Sequence, residues 1–112
     1  MKSRDRQFVD KAVEVVNNHL AKEQFDVLEF AGEMALSRAQ LQRKIKAITD
    51  KSAGEFIRTV RLNKAAEMLK AKVDTVTGIA YETGFSNLSW FAKAFKEQYG
   101  VSPSDFMKGS VS

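Results

Sequence analysis

The sequence predicts an all-α fold of about seven helices, in which two helix-turn-helix subdomains are joined by a long linker helix. Three observations support this prediction. Apolar residues recur at a helical period along most of the 112 residues. The chain has one Pro and six Gly, whereas a β-sandwich needs a turn about every 8–12 residues. A pattern of short helix, tight turn and longer helix also occurs twice.

The first half of the chain is predicted to contain three helices. The first covers residues 7–21, where apolar side chains recur near a period of 3.6. Asp26 is a good N-cap for a short second helix, with Glu29 at the capping-box position, and this helix ends near Met34. Ser37 caps a third helix. The predicted buried stripe of that helix is Leu41, Ile45 and Ile48.

The middle of the chain predicts the linker helix and a short fifth helix. The linker helix is opened by Ser52 and covers about residues 53–71. Thr75 caps the fifth helix, which Gly84 breaks.

Two more helices complete the prediction. Ser86 or Asn87 starts the sixth helix, over residues 87–99, and Gly100 ends it. Pro103 lies in the first turn of a last short helix, where its nitrogen needs no hydrogen-bond partner. Phe106 is the expected core contact of this helix.

The helical hairpin of the first half is repeated in the second half. Six residues match at an offset of 49, and after one inserted residue four more match at an offset of 50. Both copies have an alanine, Ala31 and Ala80, because two helices that cross closely need a small side chain. This pattern is typical of the helix-turn-helix, whose second helix presents its outer face to the major groove of DNA.

These elements predict the organisation of the chain. Residues 1–7 are a linker remnant, 8–51 the first helix-turn-helix unit, 52–72 the linker helix and 73–112 the second unit, with 8–108 acting as one DNA-binding domain.

The positive charge is concentrated in the middle of the chain. The net charge is +4, but residues 37–72 carry ten basic and three acidic side chains, a net of +7, whereas the flanking thirds are weakly negative. A concentrated basic segment indicates a surface that binds a polyanion.

Several classes of protein are excluded. With no Cys and one His, the chain lacks the ligands of a zinc site and has no cysteine nucleophile, and no metal or cofactor is expected. No apolar run approaches the ~20 residues of a membrane span, so no membrane contact is expected. His19 has no obvious Ser or Cys partner, and we interpret the Glu29–Glu33 pair as a solvated acidic face. We therefore expect no enzymatic activity.

The outward faces of the third and sixth helices hold the candidate DNA-reading side chains. Opposite the stripe of the third helix lie Arg43 and Lys46, with glutamines at the edges. Arg pairs with guanine and Gln with adenine in the major groove. On the sixth helix Trp90 lies away from the main apolar stripe. A Trp in a helix is usually a core residue, but here it can instead touch a thymine methyl group or pack along a sugar–phosphate edge.

The linker helix has a length suited to DNA. About 19 residues at 1.5 Å each span nearly 30 Å, close to the ~34 Å between successive major grooves on one face of B-DNA. Such a helix would let one chain place two recognition helices in adjacent grooves and read a bipartite site.

The stretch from Ile79 through Gly84-Phe85-Ser86-Asn87 to Pro103 resembles the signature of the DNA-binding domain of AraC/XylS-type transcription regulators. Leu41-Gln42-Arg43 and Ile57-Arg58 with Arg61-Leu62 resemble its first unit and linker helix, so the resemblance covers about residues 8–108. It implies seven helices, two helix-turn-helix units and sequence-specific binding to double-stranded promoter DNA.

The resemblance also implies which residues contact DNA. Its base-contacting positions fall on Ala39, Gln40, Gln42, Arg43, Asn87, Leu88, Ser89, Trp90 and Lys93. We expect contacts to phosphates from Ser37, Arg38, Lys46, Arg58, Arg61, Ser86 and Lys96.

Members of this family usually carry a sensor or oligomerisation domain as well. The charged residues 2–7 are interpreted as a severed linker, and the chain is most similar to the C-terminal output domain of a two-component response regulator, including the hybrid kind. The expected partners are therefore promoter DNA, an absent sensor or receiver domain of the same chain and, as a further candidate, RNA polymerase, all in the cytoplasm at the nucleoid.

Two other functions stay open at this point. A non-specific nucleic-acid-binding helical module predicts steep salt dependence without sequence preference. A helical protein-interaction domain predicts no DNA binding at low salt and a contiguous apolar surface patch.

Overall fold

A computed structural model describes residues 3–109, and these residues form seven helices and no strand. The helices are α1 (Ser3–Asn18), α2 (Val27–Glu33), α3 (Arg38–Thr49), α4 (Ala53–Ala71), α5 (Val76–Glu82), α6 (Leu88–Tyr99) and α7 (Pro103–Lys108). The predicted all-α architecture is confirmed, including the long fourth helix.

The first helix differs most from its prediction. It begins at Ser3 rather than at residue 7 and ends at Asn18 rather than at 21, so residues 3–7, expected as a linker remnant, are helical. The remnant's first two residues lie outside the described part of the chain. Arg6 and Asp10 form an ion pair one turn apart (3.7 Å), which helps a charged segment without an apolar stripe to continue the helix.

Side-chain caps start α2, α3 and α5 at Asp26, Ser37 and Thr75 as predicted, and Ser102 caps α7. The sixth helix is capped by Asn87, whose Oδ1 accepts from the Trp90 N–H (2.8 Å). The N-cap of α6 is therefore Asn87 and not Ser86, whose hydroxyl donates to the Glu23 carboxylate instead.

The chain forms two compact units. Unit 1 consists of residues 3–19 and 24–60, and unit 2 of residues 20–23 and 61–109. Each contains one helix-turn-helix pair, α2–α3 in unit 1 and α5–α6 in unit 2, and α4 contributes its first part to unit 1 and the remainder to unit 2.

Each unit has its own apolar core. In unit 1, Leu41 and Ile45 of the predicted stripe are fully buried with Phe30, whereas Ile48 is only half-buried because it lies near the end of α3. In unit 2, Phe91 and Phe95 are fully buried, and Phe106 packs its edge against Phe95 with ring centroids 5.3 Å apart. These cores leave the opposite faces of α3 and α6 exposed.

The two helix-turn-helix turns share one backbone geometry. In unit 1 the Leu36 N–H bonds to the Ala31 carbonyl (3.0 Å), and in unit 2 the Phe85 N–H bonds to the Ala80 carbonyl (2.8 Å). The preceding residues are in the left-handed region, Ala35 at φ 58° and Gly84 at φ 91°. Both turns are Schellman motifs, which stop the first helix of the pair and redirect the chain into the second.

The repeat extends beyond the matched sequence. The helices of the two pairs are equal in length, with seven residues in α2 and α5 and twelve in α3 and α6. The inserted residue of the second copy is the N-cap, Asn87. After α3 and after α6 a serine caps the next helix, Ser52 before α4 and Ser102 before α7. The two units are therefore copies of one structural plan.

We predict opposite stability effects at the two equivalent turn positions. Ala35→Gly should stabilise the protein by up to about 1 kcal/mol, because glycine has no Cβ penalty at positive φ. Gly84→Ala should destabilise it by more than about 1 kcal/mol, because positive φ is strained and an added Cβ would also collide with the Arg61 Nη1 atom. Chemical denaturation measures both.

Gly32→Ala is the matched control, since Gly32 lies within α2 with open space around it. It should stabilise the helix by about 1 kcal/mol. Equal effects of Gly32→Ala and Gly84→Ala would contradict the role assigned to the left-handed turn.

Candidate nucleic-acid interface

The outer face of α3 is a polar and cationic surface centred on Arg43. Arg38, Ala39, Gln40, Arg43 and Lys46 are exposed along it. Arg43 borders two shallow surface depressions of about 380 Å³ each, one towards Gln40 and the other towards the start of α4. This placement leaves the Arg43 guanidinium accessible to a large ligand.

The two glutamines of this face have structural partners that the sequence analysis missed. Gln40 Oε1 accepts from the Ser37 N–H (2.9 Å), while Ser37 Oγ accepts from the Gln40 N–H (3.1 Å), which completes a capping box. Gln42 Oε1 accepts from the Ala53 N–H at the start of α4 (3.1 Å). Ser37 followed three residues later by Gln40 was a readable signal, whereas the Gln42 contact joins residues eleven positions apart.

These contacts change what the glutamines can do at a base edge. Bidentate pairing with adenine needs both an acceptor oxygen and a donor NH₂ group. Because the oxygens of Gln40 and Gln42 each accept a backbone hydrogen bond, these bonds fix the two amide groups, and bidentate pairing with a base would have to share or replace them. Arg43 is thus the best-placed base-reading side chain of α3.

At the end of α3, the predicted phosphate contact Lys46 is paired with another group of the protein. Lys46 Nζ lies 3.3 Å from Asp50 Oδ1 and donates to the Asp50 carbonyl (3.1 Å). Both groups are exposed, so the ion pair is weak and exchangeable. Lys46 stays a candidate phosphate contact, with Asp50 as a competitor.

The rim of the second depression next to Arg43 carries a carboxylate. Ser52 donates through its backbone N–H to Glu55 Oε1 (2.9 Å), and this bond, followed by that with the Ser52 hydroxyl, lowers the pKa of Glu55. The ionised Glu55 repels a phosphate there. The depression therefore does not favour the binding of an anion.

The outer face of α6 differs in chemistry from that of α3. Its first turn exposes Leu88 and Trp90, at 38% and 42% of their surfaces, together with Ser89. Lys93 and Lys96 are exposed further along the helix. The α6 residues that were predicted to contact bases are therefore exposed, but those of its first turn are largely apolar.

Ser86 lies just before this helix and is already engaged. Its hydroxyl donates to the Glu23 carboxylate, which belongs to the segment 20–23 of the same unit. Glu23 would repel a phosphate at this point. A phosphate contact by Ser86 would have to use its backbone N–H.

Arg61 does not support the phosphate contact predicted for it. It is only 4% exposed, and its guanidinium donates to the Lys22 carbonyl (2.7 Å) and to the Thr83 carbonyl (3.4 Å). Burial lowers the pKa of Arg61 and the Glu23 carboxylate opposes that shift, but an arginine stays charged. The side chain thus connects segment 20–23 to the turn that ends at Gly84.

Arg58, three residues earlier on α4, has a different environment. It is half-buried, as part of unit 1, and remains a candidate phosphate contact with the exposed Arg38 and Lys96. The two α4 arginines look equivalent in sequence. Only the packing of unit 2 distinguishes them.

The described residues contain no group of three or more His, Cys, Asp or Glu side chains that could hold a metal ion. None of the helices described is long and apolar enough to cross a membrane.

The model of a helix-turn-helix domain family matches residues 30–109, which begin within α2 and include the rest of both helix pairs. The chain belongs to the AraC-type helix-turn-helix family. The predicted resemblance is confirmed.

Curated relatives of this AraC-type chain are much longer than it is. A protein of Formosa agariphila named histidine kinase P4 is 38% identical over 102 residues, which are 91% of this chain and 7% of that protein. The HTH-type transcriptional regulator MtrA of Neisseria gonorrhoeae is 36% identical over 87 residues, which are 78% of this chain and 29% of MtrA.

Solved structures share the fold. The C-terminal domain of AraT, a response regulator from Geobacillus stearothermophilus, has a TM-score of 0.78 at 26% identity, with 91% of this chain and 84% of that chain covered. The DNA-binding domain of the global transcriptional factor AdpA, solved in complex with a target DNA, has a TM-score of 0.75 at 27% identity, with 94% and 90% covered.

We predict that the two α4 arginines respond differently to substitution. Arg61→Met should destabilise unit 2 by about 1–3 kcal/mol, because it leaves the Lys22 and Thr83 carbonyls without their donor. Arg58→Met should change stability less than Arg61→Met, because Arg58 is only half-buried, and should reduce the salt slope of DNA binding by about 1, as expected for one phosphate contact.

Denaturation curves and DNA titrations at several salt concentrations measure these two quantities for both variants. If Arg61→Met reduced the salt slope while the free energy of unfolding stayed the same, the buried structural role would be wrong.

Proposed function

We propose that this chain is a sequence-specific double-stranded DNA-binding domain of a bacterial transcription regulator, in which α3 and α6 enter major grooves. The observation that carries the proposal is the doubled helix-turn-helix, with a buried apolar face and an exposed polar or cationic face on each second helix. The structure of AdpA with a target DNA supports it, because a relative of the same fold binds DNA.

Each recognition helix combines two kinds of contact. Arg43 in α3 pairs with guanine O6 and N7, which is the commonest specific contact in the major groove. Lys93 occupies the corresponding position in α6 at the offset of 50. The surrounding cations and the amide groups at the helix starts contact phosphates, which set register without reading sequence. Arg58, Arg38 and Lys96 are the cations that we assign to this role.

We further propose that α3 and α6 occupy successive major grooves on one face of the DNA. The 19 residues of α4, at 1.5 Å each, match the scale of one helical turn of B-DNA. A single chain then reads a bipartite site with about ten base pairs between the centres of its two parts.

In the complete regulator, we propose that this domain is the output element of a phosphorelay. The relatives named histidine kinase P4 and response regulator AraT support this context. Phosphorylation of a receiver domain would control dimerisation and promoter occupancy, and RNA polymerase is a further candidate partner. Identical promoter occupancy by the full-length protein with and without phosphorylation would overturn this part of the proposal.

The domain itself has a binding rather than an enzymatic role in this proposal, which places it in the cytoplasm with the chromosome. Transcription regulators among its relatives, such as MtrA, support this assignment. The catalytic activity in the name of the Formosa relative is assigned to regions outside the 7% that this chain matches.

Selection from a random duplex library at near-physiological salt tests the function. We expect two enriched blocks about ten base pairs apart. Binding at low salt without enrichment would favour the non-specific module, since phosphate contacts alone carry no sequence preference. Absence of binding at any salt concentration would favour the protein-interaction domain.

We predict that Arg43→Ala reduces affinity for the selected duplex by about 1–3 kcal/mol and relaxes the preference at one guanine. The matched control is Lys44→Ala, because Lys44 is the next residue of α3 but lies over the Phe8 ring, 4.9 Å from its centroid. Titration of the selected duplex and of its single-base variants distinguishes the two. Equal weakening on every sequence by Arg43→Ala would make Arg43 a phosphate contact.

A further inference from the structure

The two recognition helices differ most in their first turns. When the N-caps Ser37 and Asn87 are superposed along the sequence, Arg38 corresponds to Leu88 and Gln40 to Trp90. Two polar side chains of α3 are thus replaced by two large apolar side chains in α6. Further along, Arg43 and Lys93 preserve a cation at the same place in both helices.

Leu88 and Trp90 are not needed to form the core of unit 2. Phe91 and Phe95 are fully buried and supply its aromatic core. Large parts of Leu88 and Trp90 are in contrast exposed, at 38% and 42%. Apolar surface in such a position is stabilised when a ligand covers it.

The ligand expected at this place is a base edge. Leu88 and Trp90 lie in the first turn of the recognition helix, the part of such helices that contacts bases. Lys93 lies one turn further along, where a cation attracts the DNA backbone or a guanine. In the major groove the thymine 5-methyl is the apolar group that a base pair presents.

We infer that unit 2 recognises thymine through its 5-methyl group, with Leu88 and Trp90 as the specificity-determining residues. This inference rests on the proposed sequence-specific DNA binding and names the kind of half-site that α6 reads. The two halves of the target then differ in chemistry. Unit 1 reads guanine by hydrogen bonds from Arg43, whereas unit 2 reads thymine by apolar contact, and this difference sets the orientation of the domain on its site.

Deoxyuridine substitution isolates the methyl group, because it removes the 5-methyl and leaves the hydrogen-bonding groups of thymine in place. Each thymine of the selected duplex is replaced singly by deoxyuridine, and binding is titrated with the wild-type domain. We expect a loss of about fourfold in affinity at one or two positions, the effect of one buried methyl-sized group. Thymines elsewhere in the duplex should show no effect.

Variants assign this effect to residues. In Trp90→Ala or Leu88→Ala the thymine and deoxyuridine duplexes should bind equally at the sensitive positions. Both variants retain the cap of α6, since Asn87 bonds to the backbone N–H of residue 90. Lys93→Ala is the control, because it should weaken binding to both duplexes by the same factor and preserve the fourfold ratio.

The outcomes distinguish this inference from the proposed function. Specific binding that is insensitive to deoxyuridine at every position would overturn thymine recognition while the DNA-binding function stands, and Trp90 would then contact the sugar–phosphate backbone. A methyl effect that persists in both alanine variants would also overturn it. A failure to enrich any sequence would overturn the inference together with the proposed function.

Discussion

The left-handed residue in each helix-turn-helix turn is the constraint on which both DNA-reading surfaces depend. It lets the amide of the following residue bond back to the Ala31 or Ala80 carbonyl, so that the first helix stops and the second begins within a few residues. Unit 2 meets this constraint with glycine, whose missing Cβ also leaves space for the Arg61 guanidinium. Unit 1 meets it with Ala35 and accepts the strain of positive φ. The direction in which α3 or α6 presents its outer face follows from this turn.

The polar side chains at the starts of the recognition helices combine two demands. A helix start leaves free N–H groups that need acceptors, and a DNA-reading surface needs side-chain donors and acceptors that point outwards. In α3 the first demand engages the oxygen of Gln40 at its own start and that of Gln42 at the start of α4, which leaves Arg43 as the candidate base-reading side chain. In α6 the cap is the inserted Asn87, and the exposed positions after it are apolar. The two helix pairs thereby share one backbone plan but expose chemically different outer surfaces on α3 and α6.

Arginines that are three residues apart on one helix can serve different purposes. Arg58 stays near solvent, whereas Arg61 is enclosed with the carbonyls of segment 20–23 and of the turn before α6. The buried charge is tolerated because those carbonyls accept its hydrogen bonds and Glu23 lies nearby. Glu23 in turn accepts from Ser86, next to the N-cap of α6. A short network of polar groups thus holds the turn and the start of α6.

Local features of the sequence were sufficient to predict the helices, because apolar period, caps and glycines act within a few residues of the sites that they control. The duplicated pattern predicted two helix-turn-helix pairs, and the family motifs predicted which helix faces matter. The start of α1 at Ser3 was not predicted, because its first turn has charges but no apolar stripe. The burial of Arg61, the Gln42 contact with α4 and the bond between Glu23 and Ser86 were decided by the tertiary structure alone. Each joins residues from 11 to 63 positions apart in the sequence, and whether such a polar side chain meets solvent or a backbone carbonyl depends on which segments fold against it.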